Sequence, residues 1–235
     1  MEKQKPVFDS SRVKALLFDV DGTLSDSDDR MVEVIGHKLG FLKRVISEEN
    51  LQKFARGIVH FAERPGNWLL EVADWLSLDH LIAKYLDRQE LKRNLPAEHF
   101  PVIPGIVPML EELSQKYPFA IVTARNEITT RQFLSHNNLE PYFPLVISSQ
   151  TCQRTKPFAD PLLHAAEILD IPIENCLMIG DTVTDVRAAK AAGAQSLSVL
   201  CGFGKEKDLR RAGTDKILPT TSLLAKFLKR AYEDE

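Results

Sequence analysis

Short, wholly apolar runs recur along this chain, each followed by a stretch of helical period, and that rhythm restricts the fold more than any other feature. Leu16-Leu17-Phe18, Phe119-Ala120-Ile121-Val122, Leu145-Val146-Ile147 and Cys176-Leu177-Met178-Ile179 are runs of this kind. A strand apolar on both faces belongs in a parallel sheet covered by helices on both sides. The spacing predicts strands near 13–18, 119–123, 145–148, 176–179, 196–200 and 216–218. It predicts helices over 106–116, 127–137, 160–169, 183–192, 205–212 and 221–232, with Gly193 closing the fourth of these. Repeated strand–helix units of this length imply an α/β fold, a doubly wound, Rossmann-like parallel sheet with right-handed crossovers.

One long stretch breaks the rhythm. After Leu24 strand signals stop for about seventy residues, while Met31, Val32, Ile35, Leu39 and Leu42 fall at helical spacing. Ser47-Glu48-Glu49-Asn50 opens a further helix with a capping signature. Two more helical stretches precede Pro96. The expected organisation is a core of residues 1–24 and 99–235, interrupted by an all-helical insertion over 25–98.

Composition narrows the partners. The chain has 235 residues, 27% charged and 44% apolar, with a formal net charge of −3, which suits an ordinary globular protein. No basic stripe or arm suggests a nucleic-acid partner. The mixed run Lys205 to Arg211 reads as a solvated helix face. No segment reaches the ~20 apolar residues needed to cross a bilayer, and the N-terminus lacks the apolar core of a signal peptide. Cys152, Cys176 and Cys201 are widely spaced with no Cys-x-x-Cys pair, so they are expected to be buried free thiols in a reducing cytoplasm. A monomer or homodimer is expected.

In a doubly wound sheet, ligands bind beyond the carboxyl ends of the strands, so the residues delivered there matter most. The first strand delivers Asp19-Val20-Asp21-Gly22: two acids that can converge on one small site, one as nucleophile and one as general acid and base. The second delivers Thr123-Ala124-Arg125, where a hydroxyl and adjacent backbone N–H groups can cradle a phosphate oxygen, or Thr123 can cap a helix. The third leads to Thr155-Lys156-Pro157, in which the proline fixes the turn and would hold Lys156 near the strand ends. The fourth gives Gly180-Asp181-Thr182-Val183-Thr184-Asp185. There Gly180 permits close backbone approach, Asp181 stands at the strand end or as an N-cap, and Asp185 lies one turn on, where it also suits a helix N-terminus.

This ordered set resembles that of the haloacid dehalogenase-like hydrolases, most of which are Mg²⁺-dependent phosphatases. Asp19-Val20-Asp21-Gly22-Thr23-Leu24 resembles their first motif, Thr123 their second, Lys156 their third and Gly180-Asp181-x-x-x-Asp185 their acidic fourth. The resemblance implies a helical cap inserted after the first motif, as in the phosphoglycolate phosphatase and β-phosphoglucomutase group. It implies phosphate binding by Thr123, Ala124 and Lys156, with Gly180 and Asp185 in support. It also implies phosphoryl transfer to Asp19, proton transfer by Asp21, and hydrolysis of the resulting aspartyl-phosphate. Haloacid dehalogenases proper and phosphonate-cleaving members lack the second acid, so Asp21 favours phosphate esters. Four crowded carboxylates would need a cation, and hard oxygen donors without His or Cys favour Mg²⁺, held by Asp19, Asp181 and the backbone carbonyl of Asp21.

The chain also departs from the family pattern. Ser25-Asp26-Ser27-Asp28 is more polar than usual, the second proline after Lys156 is displaced to Pro161, and Arg125 stands where many members differ. These departures separate the expected catalytic machinery from the identity of the substrate. The expectation is a hydrolase acting on a small phosphorylated metabolite. Specificity would fall to the cap, where Arg56, His60 and Arg64 lie four apart, on one helix face if the helix continues, although such a stripe is more often simply solvated. The alternative within the same chemistry is a sugar phosphomutase. A receiver-like signalling domain shares the Asp, Thr and Lys, but it has no use for the insertion or for Asp21.

Overall fold

The structure, a computed structural model of the chain, describes residues 8–26 and 101–233. By its contacts the chain divides into two units, residues 1–26 with 100–235 and residues 27–99. The described residues all belong to the first, and elements are numbered within it. Apart from residues 25 and 26, the expected insertion over 25–98 lies outside the described residues.

Six strands form one sheet: β1 (Ala15–Phe18), β2 (Phe119–Val122), β3 (Leu145–Ile147), β4 (Cys176–Gly180), β5 (Gln195–Val199) and β6 (Lys216–Leu218). Their order is β3-β2-β1-β4-β5-β6, and every pairing is parallel. From β1 the chain winds outward in one direction through β2 and β3, then returns to β4 and winds outward in the other. The reversal falls between β1 and β4, the point at which such sheets open a crevice for a ligand. Register brings Phe18 beside Ile179 and Ile121, so the chain leaves β1, β2 and β4 at nearly the same level.

Alternation along each strand sorts the core into two layers. Leu16 and Phe18, Phe119 and Ile121, and Leu177 and Ile179 face one side. There they meet α1 (Ile106–Leu113) through Ile106 and Leu110, α2 (Glu127–His136) through Phe133 and Leu134, and α6 (Leu224–Glu233) through Leu224 and Leu228. Phe18 and Phe119 stack edge to face at 5.4 Å, a geometry their ring quadrupoles favour. Ala15 and Leu17, Ala120 and Val122, and Cys176 and Met178 face the other side. This layer is lined by the alanines of α3 (Asp160–Leu169) and α4 (Val183–Ala192), among them Ala165, Ala166, Ala188 and Ala189. Large side chains fill one layer, and small ones let helices approach closely in the other.

Every strand and helix expected within the described residues forms, with each end within three residues of its expected place. The last expected helix opens as a 3₁₀ turn, Thr221–Leu223, before α6 begins. α5 (Glu206–Ala212) buries only Leu209 and pairs Arg210 with Glu206 on its exposed face, as the mixed charge run implies. Cysteine burial needs correction. Cys176 is buried, but Cys152 and Cys201 are half-buried, because both lie in loops beyond strand ends rather than in the sheet; all three are free. Burial pushes the Cys176 thiol up to about 11, with Glu174 adding to the effect. Among the described residues no helix is long and apolar enough to cross a membrane.

Candidate active site

Four of the side chains singled out by spacing meet at the reversal point of the sheet. Asp19 follows β1 directly, its backbone N–H donating to the carbonyl of Ile179 at 2.9 Å, so the end of β4 fixes where the nucleophile candidate begins. Asp181 follows β4, Asp185 lies in the first turn of α4, and Lys156 reaches in from the loop after β3. All four are buried. The Lys156 ammonium donates to Oδ1 of Asp19 at 2.8 Å and to Oδ1 of Asp185 at 2.6 Å. Carboxylate oxygens of Asp19, Asp181 and Asp185 lie within 4.8 Å of one another.

Each acid is held by a different local device. The second oxygen of Asp185 accepts from the backbone N–H of Thr182 at 3.0 Å and from its hydroxyl at 2.6 Å. Thr182 is the N-cap of α4, so Asp185 closes a capping box and turns its other oxygen to Lys156. The helix-terminus reading of Asp185 and the site reading therefore hold together. Asp181, which is not the N-cap, accepts from the Thr23 hydroxyl at 3.3 Å and from the backbone N–H of Phe203 at 2.7 Å. At the end of β2, Thr123 is not a cap either, since Asn126 caps α2 through its contact with the N–H of Thr129. The Thr123 hydroxyl instead accepts from the backbone N–H of Arg125 at 3.2 Å, which orders the loop that contains Ala124.

Backbone approach explains two glycines. A Cβ on Gly180 would stand 2.3 Å from the carboxyl carbon of Asp185, as the expected close packing requires. Gly202 was not foreseen: a Cβ there would stand 2.2 Å from an oxygen of Asp181. The loop after β5, Gly202-Phe203-Gly204, thus wraps the Asp181 carboxylate and supplies one of its donors. A glycine pair beyond a strand end was the available signal for that loop.

Electrostatically the cluster is short of positive charge. Three buried carboxylates face one ammonium, a formal charge of −2. Burial raises the Asp19 carboxyl from 3.8 to about 6. Lys156 opposes that rise, while the charges of Asp185 and Asp21 add to it. Burial raises the Asp181 carboxyl well above its ordinary value too, with Asp185 and Asp19 contributing and Phe203 and Lys156 opposing. For Lys156, burial works against the charge, but Asp185 and then Asp19 outweigh it and raise the ammonium above its ordinary value.

Asp21 has a cation of its own. Its two oxygens accept from Arg125, Oδ2 from Nε at 2.6 Å and Oδ1 from Nη2. Sequence order could not show this pairing, because Asp21 and Arg125 lie 104 residues apart. The cap candidates Arg56, His60 and Arg64 lie outside the described residues.

Comparison with known proteins identifies the family of the chain. The model of the haloacid dehalogenase-like hydrolase family matches residues 16–199. The chain is 31% identical over 199 residues to the phosphoglycolate phosphatase of Neisseria meningitidis, covering 82% of each chain. It is 31% identical over 228 residues to that of Nitrosococcus oceani, covering 92% of this chain and 96% of the other. Its fold resembles that of a hydrolase of the same family from Deinococcus radiodurans, solved with bound phosphate and sodium, with a TM-score of 0.68 at 23% identity over 94% of this chain and 97% of that one. The protein belongs to the haloacid dehalogenase-like hydrolases, and it is a phosphatase of that family.

Proposed function

We propose that this phosphatase hydrolyses a small phosphorylated metabolite through an aspartyl-phosphate on Asp19, with Mg²⁺ bound beside it. The observation that carries the reading is the placement of Asp19: buried at the end of β1, tied by one oxygen to Lys156, and grouped with Asp181 and Asp185.

The residues fit a hard divalent cation. The donors are carboxylate oxygens, among the described residues no His or Cys joins the cluster, and the formal charge of −2 is what such an ion would offset. Asp185 has one oxygen on Lys156 and the other on Thr182, so its part is to hold the lysine. Asp19 and Asp181, with the backbone carbonyl of Asp21, are the groups that would hold the ion. When bound, Mg²⁺ neutralises charge on the cluster and on the phosphate.

The remaining work falls to the chain's own groups. Thr123, the Ala124 backbone and Lys156 bind the phosphoryl oxygens and orient the phosphorus toward Asp19. An Asp19 oxygen forms a bond to phosphorus as the ester P–O bond breaks. The leaving oxygen takes the electron pair of that bond and a proton from Asp21. Water then attacks phosphorus and gives a proton to Asp21, the Asp19–phosphorus bond breaks, and inorganic phosphate leaves. The insertion over 25–98 is assigned the role of reading the leaving group, with Arg56, His60 and Arg64 as its candidate contacts. The phosphoglycolate phosphatases among the relatives make phosphorylated small acids the first compounds to try.

Phosphate release from a panel of phosphate monoesters, with Mg²⁺ or with EDTA, tests the reading. Release should require the metal, and Asp19→Asn should lower kcat by at least about 1,000-fold with the fold retained. Turnover by Asp19→Asn, or equal turnover in EDTA, would reject it.

A further inference from the structure

The geometry points to Arg125 as the residue that positions Asp21 for proton transfer, an inference that rests on the reaction proposed above. An aspartate held by one hydrogen bond can still rotate its carboxyl plane. Two donors from one planar guanidinium fix that plane, and Arg125 supplies both, from Nε and Nη2. The arginine is itself held. Its guanidinium carbon sits 5.5 Å from the centroid of the Phe133 ring, its backbone N–H donates to Thr123, and its carbonyl accepts from the N–H of Ser149 at 3.0 Å. Its side chain is 11% exposed, against 36% for that of Asp21. The less exposed partner is therefore the fixed one, and the acid it orients is the one more open to an incoming leaving group.

The placement ties two functions to one loop. Thr123 and Ala124 stand where the phosphoryl oxygens are to be cradled, and Arg125, next along, reaches back to the acid that must meet the ester oxygen beyond the phosphorus. The strand end that sets the phosphate thereby also sets the proton donor. A general acid contributes most when the leaving group is a poor one, so loss of Arg125 should matter in proportion to how badly the leaving group needs a proton.

The test compares 2-phosphoglycolate, whose leaving group is an alkoxide, with p-nitrophenyl phosphate, whose leaving group is stable without a proton. Arg125→Met keeps the bulk against Phe133 and removes the fork. It should lower the single-turnover rate of leaving-group release, the step in which Asp21 is the acid, by about 10- to 100-fold for 2-phosphoglycolate and by less than about threefold for p-nitrophenyl phosphate, with KM little changed. Added guanidinium ion should restore part of the loss, and Arg125→Lys, which keeps the charge without the fork, should fall between. In an Asp21→Asn background the change should have no further effect. Equal losses in that step on both substrates would overturn the inference, because they would mark a residue that only supports the loop. A raised KM on 2-phosphoglycolate with kcat unchanged would also overturn it, by showing that Arg125 grips the substrate. Wild-type turnover that survives Asp19→Asn would instead reject the underlying reaction.

Discussion

Two acid–cation groups lie within a few residues of each other at the end of β1, and they are built on opposite terms. In the first, Asp19, Asp181 and Asp185 crowd one ammonium in a buried pocket, and charge remains uncompensated. In the second, the partly exposed Asp21 meets one guanidinium, and the pair is balanced in charge and fixed in plane. The first has the make-up of a cation site, since buried carboxylates so close together are unfavourable alone. The second resembles a positioned working group, complete without any ion. Side chains that share a motif, such as Asp19 and Asp21, can thus sit under different electrostatics because their partners come from different strands.

The largest break of this comparison is removal of Lys156, the one cation buried among the described residues. Lys156→Met leaves three buried carboxylates with no ammonium, and should lower the unfolding free energy in EDTA by about 3–5 kcal/mol. Urea denaturation measures this, and a loss below about 1 kcal/mol would show that the cluster does not depend on Lys156.

Next comes pH. The folded Asp19 carboxyl titrates at about 6 against an ordinary 3.8, so between those values the folded protein keeps a proton that the unfolded chain has released. Stability from this group is fully present below about 3.8 and is lost as pH rises through about 6. Asp19→Asn, which cannot ionise, should therefore be more stable than wild type at pH 7 in EDTA, by about 1–3 kcal/mol. The advantage should vanish near pH 4 and shrink when Mg²⁺ is added. An advantage unchanged by pH would contradict the crowding.

The smallest effect sharpens the contrast from outside. Arg210 and Glu206 form an i,i+4 pair at 2.6 Å on α5 with both side chains mostly exposed. Arg210→Ala should change stability by no more than about 0.5 kcal/mol, measured by thermal unfolding. A larger change would mean that exposure is not what separates these pairs.

How legible each part was follows from how local its cause is. β1, β2, β3 and β4 are apolar on both faces, which marks them as strands of a covered parallel sheet, and the acids that follow β1 and β4 fall at the end of the sheet by topology. Asp185 was legible in two ways, as the acid one turn after Asp181 and as a charge suited to a helix N-terminus. Arg125 was not: a strand end fixes where its backbone is, but its meeting with Asp21 depends on β1 and β2 being neighbours in register. The wrap of Gly202 and Phe203 around Asp181 depends in the same way on β4 lying beside β5. The half-buried Cys152 and Cys201 show the converse error, in which an apolar neighbourhood in sequence was read as burial.

The most direct measurement is the chemical state of Asp19 during turnover. Acid-quenching the Mg²⁺-loaded enzyme with a turned-over monoester, followed by mass spectrometry of its peptides, should find a phosphoryl group on the peptide containing Asp19. Asp19→Asn should show none. Steady phosphate release with that peptide unmodified, and with Asp19→Asn still active, would contradict the account.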